Sequence, residues 1–273
     1  MTTNIDIISD LHFDYWVKSS ACTKSRMEHF INHILPETPS DILIIAGDIG
    51  HYNTQNIMGL QILKDTYKYI CWTHGNHDLL LITKSSLKKY HKDSFKRLSK
   101  MVELSNELEN VYYLDGNVID IDGITIGGAS GWYDFQYGIQ VHYSSIEQMH
   151  MMWSNGMIDA RKIFPVLFDT LKYADEQYKK LDTVVNSSPD IIVSHVGPDW
   201  GKIHPRFNDP STGLFYFDGK ELLSKLDENT TWVYGHTHDR IEYQHHMGCH
   251  MMCNPMGYPW ECRNPIKTIT IEN

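Results

Sequence analysis

"YKYICWTHGNHD", residues 67–78, is an apolar run that stops at Gly75 and continues as Asn76, His77 and Asp78. A short continuous run of this kind, without polar alternation, reads as a strand buried on both faces, the pattern of a sheet covered by helices. The same pattern recurs in "IDIISDLH" (5–12), "DILIIAGD" (41–48), "DIIVSH" (190–195) and "TWVYGH" (231–236). Each run ends in Asp, Asn or His on its C-terminal side. In open α/β sheets, binding sites lie beyond that end of the strands.

Helical periodicity fills the intervals. Met27, Phe30, Ile31, Ile34 and Leu35 repeat at helical spacing in 24–36, and Pro36 closes the segment. Residues 84–109 predict one long helix, and 169–184 and 218–226 predict two more. Two segments read as antiparallel: "VIDIDGITIGG" (118–128) turns at Asp122-Gly123, and "IEYQHHMGCHMMC" (241–253) turns at Met247-Gly248. The last strand, "KTITIE" (267–272), is expected beside that second hairpin. Residues 132–165, rich in aromatics and methionine, predict an insertion or lid over the sheet edge. The expectation is an α/β fold in a single domain, 1–273.

Composition limits the function classes. The chain has 273 residues, 41% of them hydrophobic, and a mean hydropathy of −0.38, which suits a globule with a real core. No apolar run approaches the roughly 20 residues that span a bilayer, so no membrane partner is expected. The opening "MTTNIDIISD" lacks a basic n-region and a long apolar stretch, which makes the cytoplasm the expected compartment. Five cysteines without a secretory signal argue against a disulfide framework, and Cys22 and Cys71 read as small core residues. A formal net charge of −10 excludes a broad nucleic-acid-binding surface, leaving nucleic acid possible only as a substrate.

The strand ends supply seven donors: Asp10, His12, Asp48, Asn76, His195, His236 and His238. Asp10 and His12 are two residues apart, as are His236 and His238, so each pair projects to one side of an extended chain. Seven donors are too many for one tetrahedral zinc. They suit two divalent transition metal ions sharing a carboxylate, with Mn foremost and Fe or Zn possible for this mixture of imidazole and carboxylate. Two such cations against Asp10, Asp48 and one hydroxide leave a single net positive charge, which favours a phosphoester as the partner.

In their order along the chain, "DLH", "GD", "GNHD", "SH" and "GHTH" resemble the motif set of the calcineurin-like metallophosphoesterase superfamily over about 10–238. "CNPMGYP" (253–259) is similar to the closing segment of its small stand-alone prokaryotic phosphohydrolases. The resemblance implies a four-layer αββα β-sandwich flanked by helices. It implies that Asp10, His12 and His238 hold one metal and Asn76, His195 and His236 the other, with Asp48 bridging. A metal-activated hydroxide would attack phosphorus, and His77 would serve the leaving oxygen, with Asp78 orienting its imidazole and keeping it protonated. The expected activity is that of a phosphodiesterase or general phosphohydrolase on a small or nucleotide-like substrate. Phosphoprotein phosphatase and nuclease are the alternatives; a metal-binding module without turnover would need neither His77 nor Asp78.

Other features fall outside the motif set. Lys84, Lys88, Lys89, Lys92, Lys96, Arg97 and Lys100 predict a solvated helix face. His204 and Arg206, in the polar loop 195–209, are candidate substrate contacts. His245, His246, Cys249, His250 and Cys253 have the composition of a zinc site, but side chains alternate across a hairpin and disperse them. Trp132, Tyr133 and Phe135 are expected to shape a pocket wall or to pack the lid.

Overall fold

The five apolar runs become parallel strands of two sheets in a computed structural model, which describes residues 2–165, 168–261 and 264–272. The strands are β1 (Thr2–Ile8), β2 (Ile42–Ala46), β3 (Tyr69–Thr73), β4 (Val111–Tyr113), β5 (Asn117–Ile121) and β6 (Ile124–Gly128). They continue as β7 (Ile191–Val193), β8 (Thr231–Tyr234), β9 (Ile241–Gln244), β10 (His250–Cys253) and β11 (Lys267–Glu272). One sheet runs β11-β1-β2-β3-β4 and the other β5-β6-β7-β8-β10-β9. Strands β1 to β4 are mutually parallel, as are β6, β7, β8 and β10.

Period-two alternation divides the apolar residues between two cores. Ile5, Ile7, Ile42, Ile44 and Cys71 of the first sheet share one cluster with Ile126, Ile191, Val193, Val233 and Met252 of the second. Their neighbours Leu43, Ile45, Ile70, Trp72, Ile192 and Trp232 belong to the outer cluster. Helices cover those outer faces: α1 (Phe13–Trp16), α2 (Lys24–Ile34), α3 (Asn53–Lys64), α4 (Lys84–Lys89) and α5 (Ser94–Asn106) precede the second sheet. After its first hairpin come α6 (Gln136–His142), α7 (Ile146–Gly156), α8 (Asp159–Lys162), α9 (Thr170–Val185) and α10 (Lys220–Leu223). The result is the layered αββα arrangement.

Three expectations are corrected. Strand β11 pairs antiparallel with β1, not with the β9–β10 hairpin; Ile269 and Ile271 thereby enter the core between the sheets. The predicted helix over 84–109 is two helices, because His91 and Lys92 take positive φ (54° and 55°) and Asp93 caps a new start, accepting from Phe95 and Lys96 N–H. The helix expected over 218–226 is the single turn of α10. Within segment 132–165, Trp132, Tyr133, Phe135 and Met149 are buried, whereas Tyr143 and Met151 are exposed. Among the described residues, no helix is long and apolar enough to cross a membrane.

Candidate active site

The C-terminal ends of the parallel strands of both sheets meet along one edge, where Ser9 after β1 bridges to Pro255 after β10. Five of the seven donor residues sit in left-handed backbone: Asp10 (φ 52°), His12 (42°), Asp48 (55°), His236 (71°) and His238 (54°). Residues with a Cβ lose about 1–2 kcal/mol each there, and such strain persists only where the surroundings over-determine the conformation. Backbone hydrogen bonds do so here: Asp10 N–H donates to Gly47 O, His12 N–H to Asp48 O, and Gly257 N–H to Asp10 O. The glycines are needed for close approach. A Cβ on Gly75 would stand 2.1 Å from Asp48 Oδ1, and one on Gly235 would stand 2.6 Å from Asp10 Oδ2.

The donor atoms converge. His12 Nε2 and His238 Nε2 are 3.1 Å apart, and His238 Nε2 lies 3.3 Å from Asp10 Oδ1. His195 Nε2 lies 3.1 Å from Asn76 Oδ1 and 3.4 Å from Asp48 Oδ2, and Asp48 Oδ2 is also 3.7 Å from His12 Nε2. Ligands held about 2.0–2.2 Å from one ion stand roughly 3.0–3.6 Å apart. The spacings therefore fit two ions, with Asp48 facing both groups. Asp10, His12 and His238 gather within 4.8 Å, and so do Asp10, Asp48 and His195.

Outer partners leave a lone pair aimed inward. His195 Nδ1–H donates to Ala46 O (3.0 Å) and His238 Nδ1–H to Glu261 Oε2 (2.6 Å), so in each ring Nε2 is free for a metal. His236 is reversed: its Nε2–H donates to Leu214 O (3.3 Å), which leaves Nδ1. Asn76 is oriented by Asp159, which accepts from Asn76 Nδ2 (3.0 Å) and from Tyr133 Oη (2.8 Å), turning Asn76 Oδ1 toward His195.

Electrostatics fit the same picture. Burial disfavours every charge here, yet the His238 and His195 rings hold the Asp10 carboxyl below the usual carboxylate range, and His195 and His77 do so for Asp48. Reciprocally, Asp48 outweighs burial and raises His195 to about 9, and Asp10 raises His238 to about 10. Binding a cation at these rings displaces protons. His12 and His236 are pushed down by burial, His236 to about 3.

His77 and Asp78 are placed differently from expectation. His77 lies within 4.8 Å of His12 and Asp48, and its backbone N–H donates to Asp48 Oδ1 (2.8 Å). Its Nδ1 meets His51 Nε2 at 2.9 Å, and His51 Nδ1 meets Asp14 Oδ2 at 2.6 Å. Since a carboxylate only accepts, Nδ1 of His51 carries a proton toward Asp14, and with the His51 ring neutral its Nε2 accepts from His77 Nδ1–H. The orienting partner of His77 is thus the His51–Asp14 pair. Burial pushes the His77 imidazole down, to about 4. Asp78 instead accepts from the backbone N–H of Ile49, Gly50 and Gly75, tying the loop after β2 to the loop after β3.

Arg97 leaves the predicted solvated face altogether. It is 1% exposed. Its guanidinium donates to Asn53 Oδ1 and to the carbonyls of Gly50, His77 and Leu80, binding the same two loops from below. His204 and Arg206 are exposed on the loop after β7. Arg206 reaches Asp239, beside His238, at 3.5 Å, whereas His204 caps a short turn. His245 pairs with Asp199, and Cys253 with Thr237, away from any common centre. Sequence reading missed His51, Asp14, Asp159, Glu261 and Tyr258, whose hydroxyl lies 3.3 Å from His77 Nε2. It also missed Arg97 as a site residue. Three signals were present: His51 follows Asp48 by three residues, Tyr258 lies within "CNPMGYP", and Arg97 shares helical spacing with the buried Ser94, Leu98 and Met101.

Comparison with known proteins adds the following. The model of the calcineurin-like phosphoesterase family matches residues 3–240. No curated protein matches the chain. Among solved structures it is similar to the phosphopantetheinyl hydrolase of Mycobacterium tuberculosis, at 16% identity and a TM-score of 0.74 over 97% of this chain and 95% of that one. A dimetal phosphatase from Danio rerio has 13% identity and a TM-score of 0.52 over 99% and 93%. The protein TT1561 of Thermus thermophilus has 11% identity and a TM-score of 0.51 over 94% and 90%.

Proposed function

This chain belongs to the calcineurin-like phosphoesterases, metal-dependent hydrolases of phosphoric esters, and from that premise we propose that it is a phosphodiesterase acting on small or nucleotide-like esters. Asp10, His12 and His238 would hold one ion, Asn76, His195 and His236 the other, and Asp48 both. Bound there, the two ions supply Lewis acidity toward the phosphoryl oxygens and activate water, and Mn suits the donor set best. The candidate ligands come from both sheets, which supports reading the chain as one catalytic domain.

One observation supports a diester over a monoester. The buried guanidinium in the floor, Arg97, is spent on backbone carbonyls and Asn53. With the Arg97 charge set against the buried Asp78, two divalent ions against Asp10, Asp48 and a hydroxide would leave about one net positive charge, matched by a monoanionic diester and exceeded by a dianionic monoester. His77 manages the proton. With Nδ1–H given to His51, its Nε2 presents a lone pair that faces the Tyr258 hydroxyl. That atom would take up a proton from water and deliver it to the leaving oxygen.

The test is turnover by Mn-, Fe- and Zn-loaded protein across matched esters: bis(4-nitrophenyl) phosphate, 4-nitrophenyl phosphate, cyclic nucleotides, single-stranded DNA and a phosphopeptide. A phosphopantetheinyl ester belongs in the series, because the neighbour named for that chemistry shares the fold from end to end. The expected result is a kcat/KM at least about tenfold higher on diesters. Preference for the phosphopeptide or for DNA would establish a protein phosphatase or a nuclease instead.

A further inference from the structure

We propose that Tyr15, Tyr258 and Trp260 form a stacking subsite for the planar base of a nucleotide ester; this deepens the phosphodiesterase reading and rests on it. The rings make a continuous stack from a metal ligand to the surface. The Tyr258 ring lies on His12 at 4.6 Å and 29°, and the Trp260 ring lies on Tyr258 at 5.0 Å and 27°. Tyr15 closes one side, 4.6 Å from Tyr258 and 5.8 Å from Trp260.

Trp260 is 70% exposed, although its inner face is already covered by Tyr258. Its outer face is thus open to a planar group, whose stacking there would bury apolar area on both partners. Trp260 does not stand on a free loop. The turn that carries it is closed by Glu261 N–H to Tyr258 O (3.0 Å) and by Tyr258 N–H to Glu261 Oε2 (2.8 Å). The same Glu261 oxygen holds Nδ1 of His238, and Trp16 Nε1–H ties down Gly257 O at 3.0 Å. One short segment therefore orients a metal ligand and sets the aromatic platform relative to it. The stack rises from His12 through Tyr258 to Trp260, so the platform stands beside the cluster that would hold the phosphate. A flat π-surface accepts any base, so the subsite confers preference for nucleotides without choosing among them.

The test compares AMP with ribose 5-phosphate, which differ only in the base, for binding to Mn-loaded protein by calorimetry. Wild-type protein should bind AMP about 5- to 100-fold more tightly, the range that one stacked base contributes. Trp260→Ala should erase that difference while leaving ribose 5-phosphate affinity and metal content unchanged, and Trp260→Phe should keep most of it. Equal affinity of wild type for the two compounds, or parallel weakening of both in Trp260→Ala, overturns the subsite whatever esters are hydrolysed. A base-dependent difference that vanishes in Trp260→Ala, in a protein that hydrolyses no diester, would sink the phosphodiesterase reading and leave the subsite standing.

Discussion

Replacing Arg97 should damage both stability and catalysis, although nothing links it directly to substrate. Its guanidinium makes four hydrogen bonds, to Asn53 Oδ1 (3.1 Å), His77 O (2.9 Å), Leu80 O (3.3 Å) and Gly50 O, in a position 1% exposed. Hydrogen bonds involving a charge contribute about 1.5–3 kcal/mol each, but four in one network do not add. Breaking a buried charged group away from its partners costs about 3–5 kcal/mol, a large part of the roughly 5–15 kcal/mol that typically holds a domain together. Arg97→Lys keeps the charge and loses the fork, so about half of that loss is expected, with a folded protein at low temperature. The pinned carbonyls flank Asp48 and Asn76, and a shift near 1 Å in such groups reduces rate by about 100-fold. Urea unfolding and kcat/KM on one diester, both at about 15 °C, measure the two effects. Lys96→Ala and Lys100→Ala, on the exposed face of the same helix, serve as controls within about 0.5 kcal/mol of wild type. An Arg97→Lys protein as stable and as active as those controls would refute the idea that Arg97 fixes the loops.

Protein prepared without chelator should carry two transition metal ions per chain by elemental analysis; Asp48→Asn should weaken both sites and abolish activity, and His12→Ala should weaken mainly one. A wild-type stoichiometry of one under metal-replete conditions would end the dinuclear assignment. His77→Gln should lose about 10²–10⁴-fold more rate on alkyl esters than on nitrophenyl esters, because only the alkoxide needs a proton to leave. His51→Ala should show a milder form of the same selectivity, whereas Asp78→Asn should lower stability and rate without regard to the leaving group. Equal losses on both ester types in His77→Gln would assign that ring to phosphate binding instead.

The difference between what the chain disclosed and what it withheld follows from how far each signal travels. A strand buried on both faces must be apolar throughout, so β2, with every residue buried, is visible as "ILIIA" and Asp48 as the point where the run breaks. The candidate donors inherit that visibility from their strands. Their partners do not. Asp159 reaches Asn76 across 83 positions, Tyr258 reaches His77 across 181, and Asp14 reaches His51 across 37. No local periodicity encodes such pairings. Adjacency can even mislead: Asp78 follows His77 in the chain, yet a 3-10 turn begins there, and the carboxylate goes to backbone amides while the imidazole goes to His51. Arg97 shows the opposite failure, in which the signal was local and was overruled by residue type. It occupies the stripe of Ser94, Leu98, Met101 and Ser105, and charge suggested solvent where spacing specified the interior. A buried guanidinium is stable only with its donors satisfied. Since its acceptors here are carbonyls of the two loops that present Asp48 and Asn76, the helix beneath the sheet edge and those two loops are tied into one hydrogen-bonded unit.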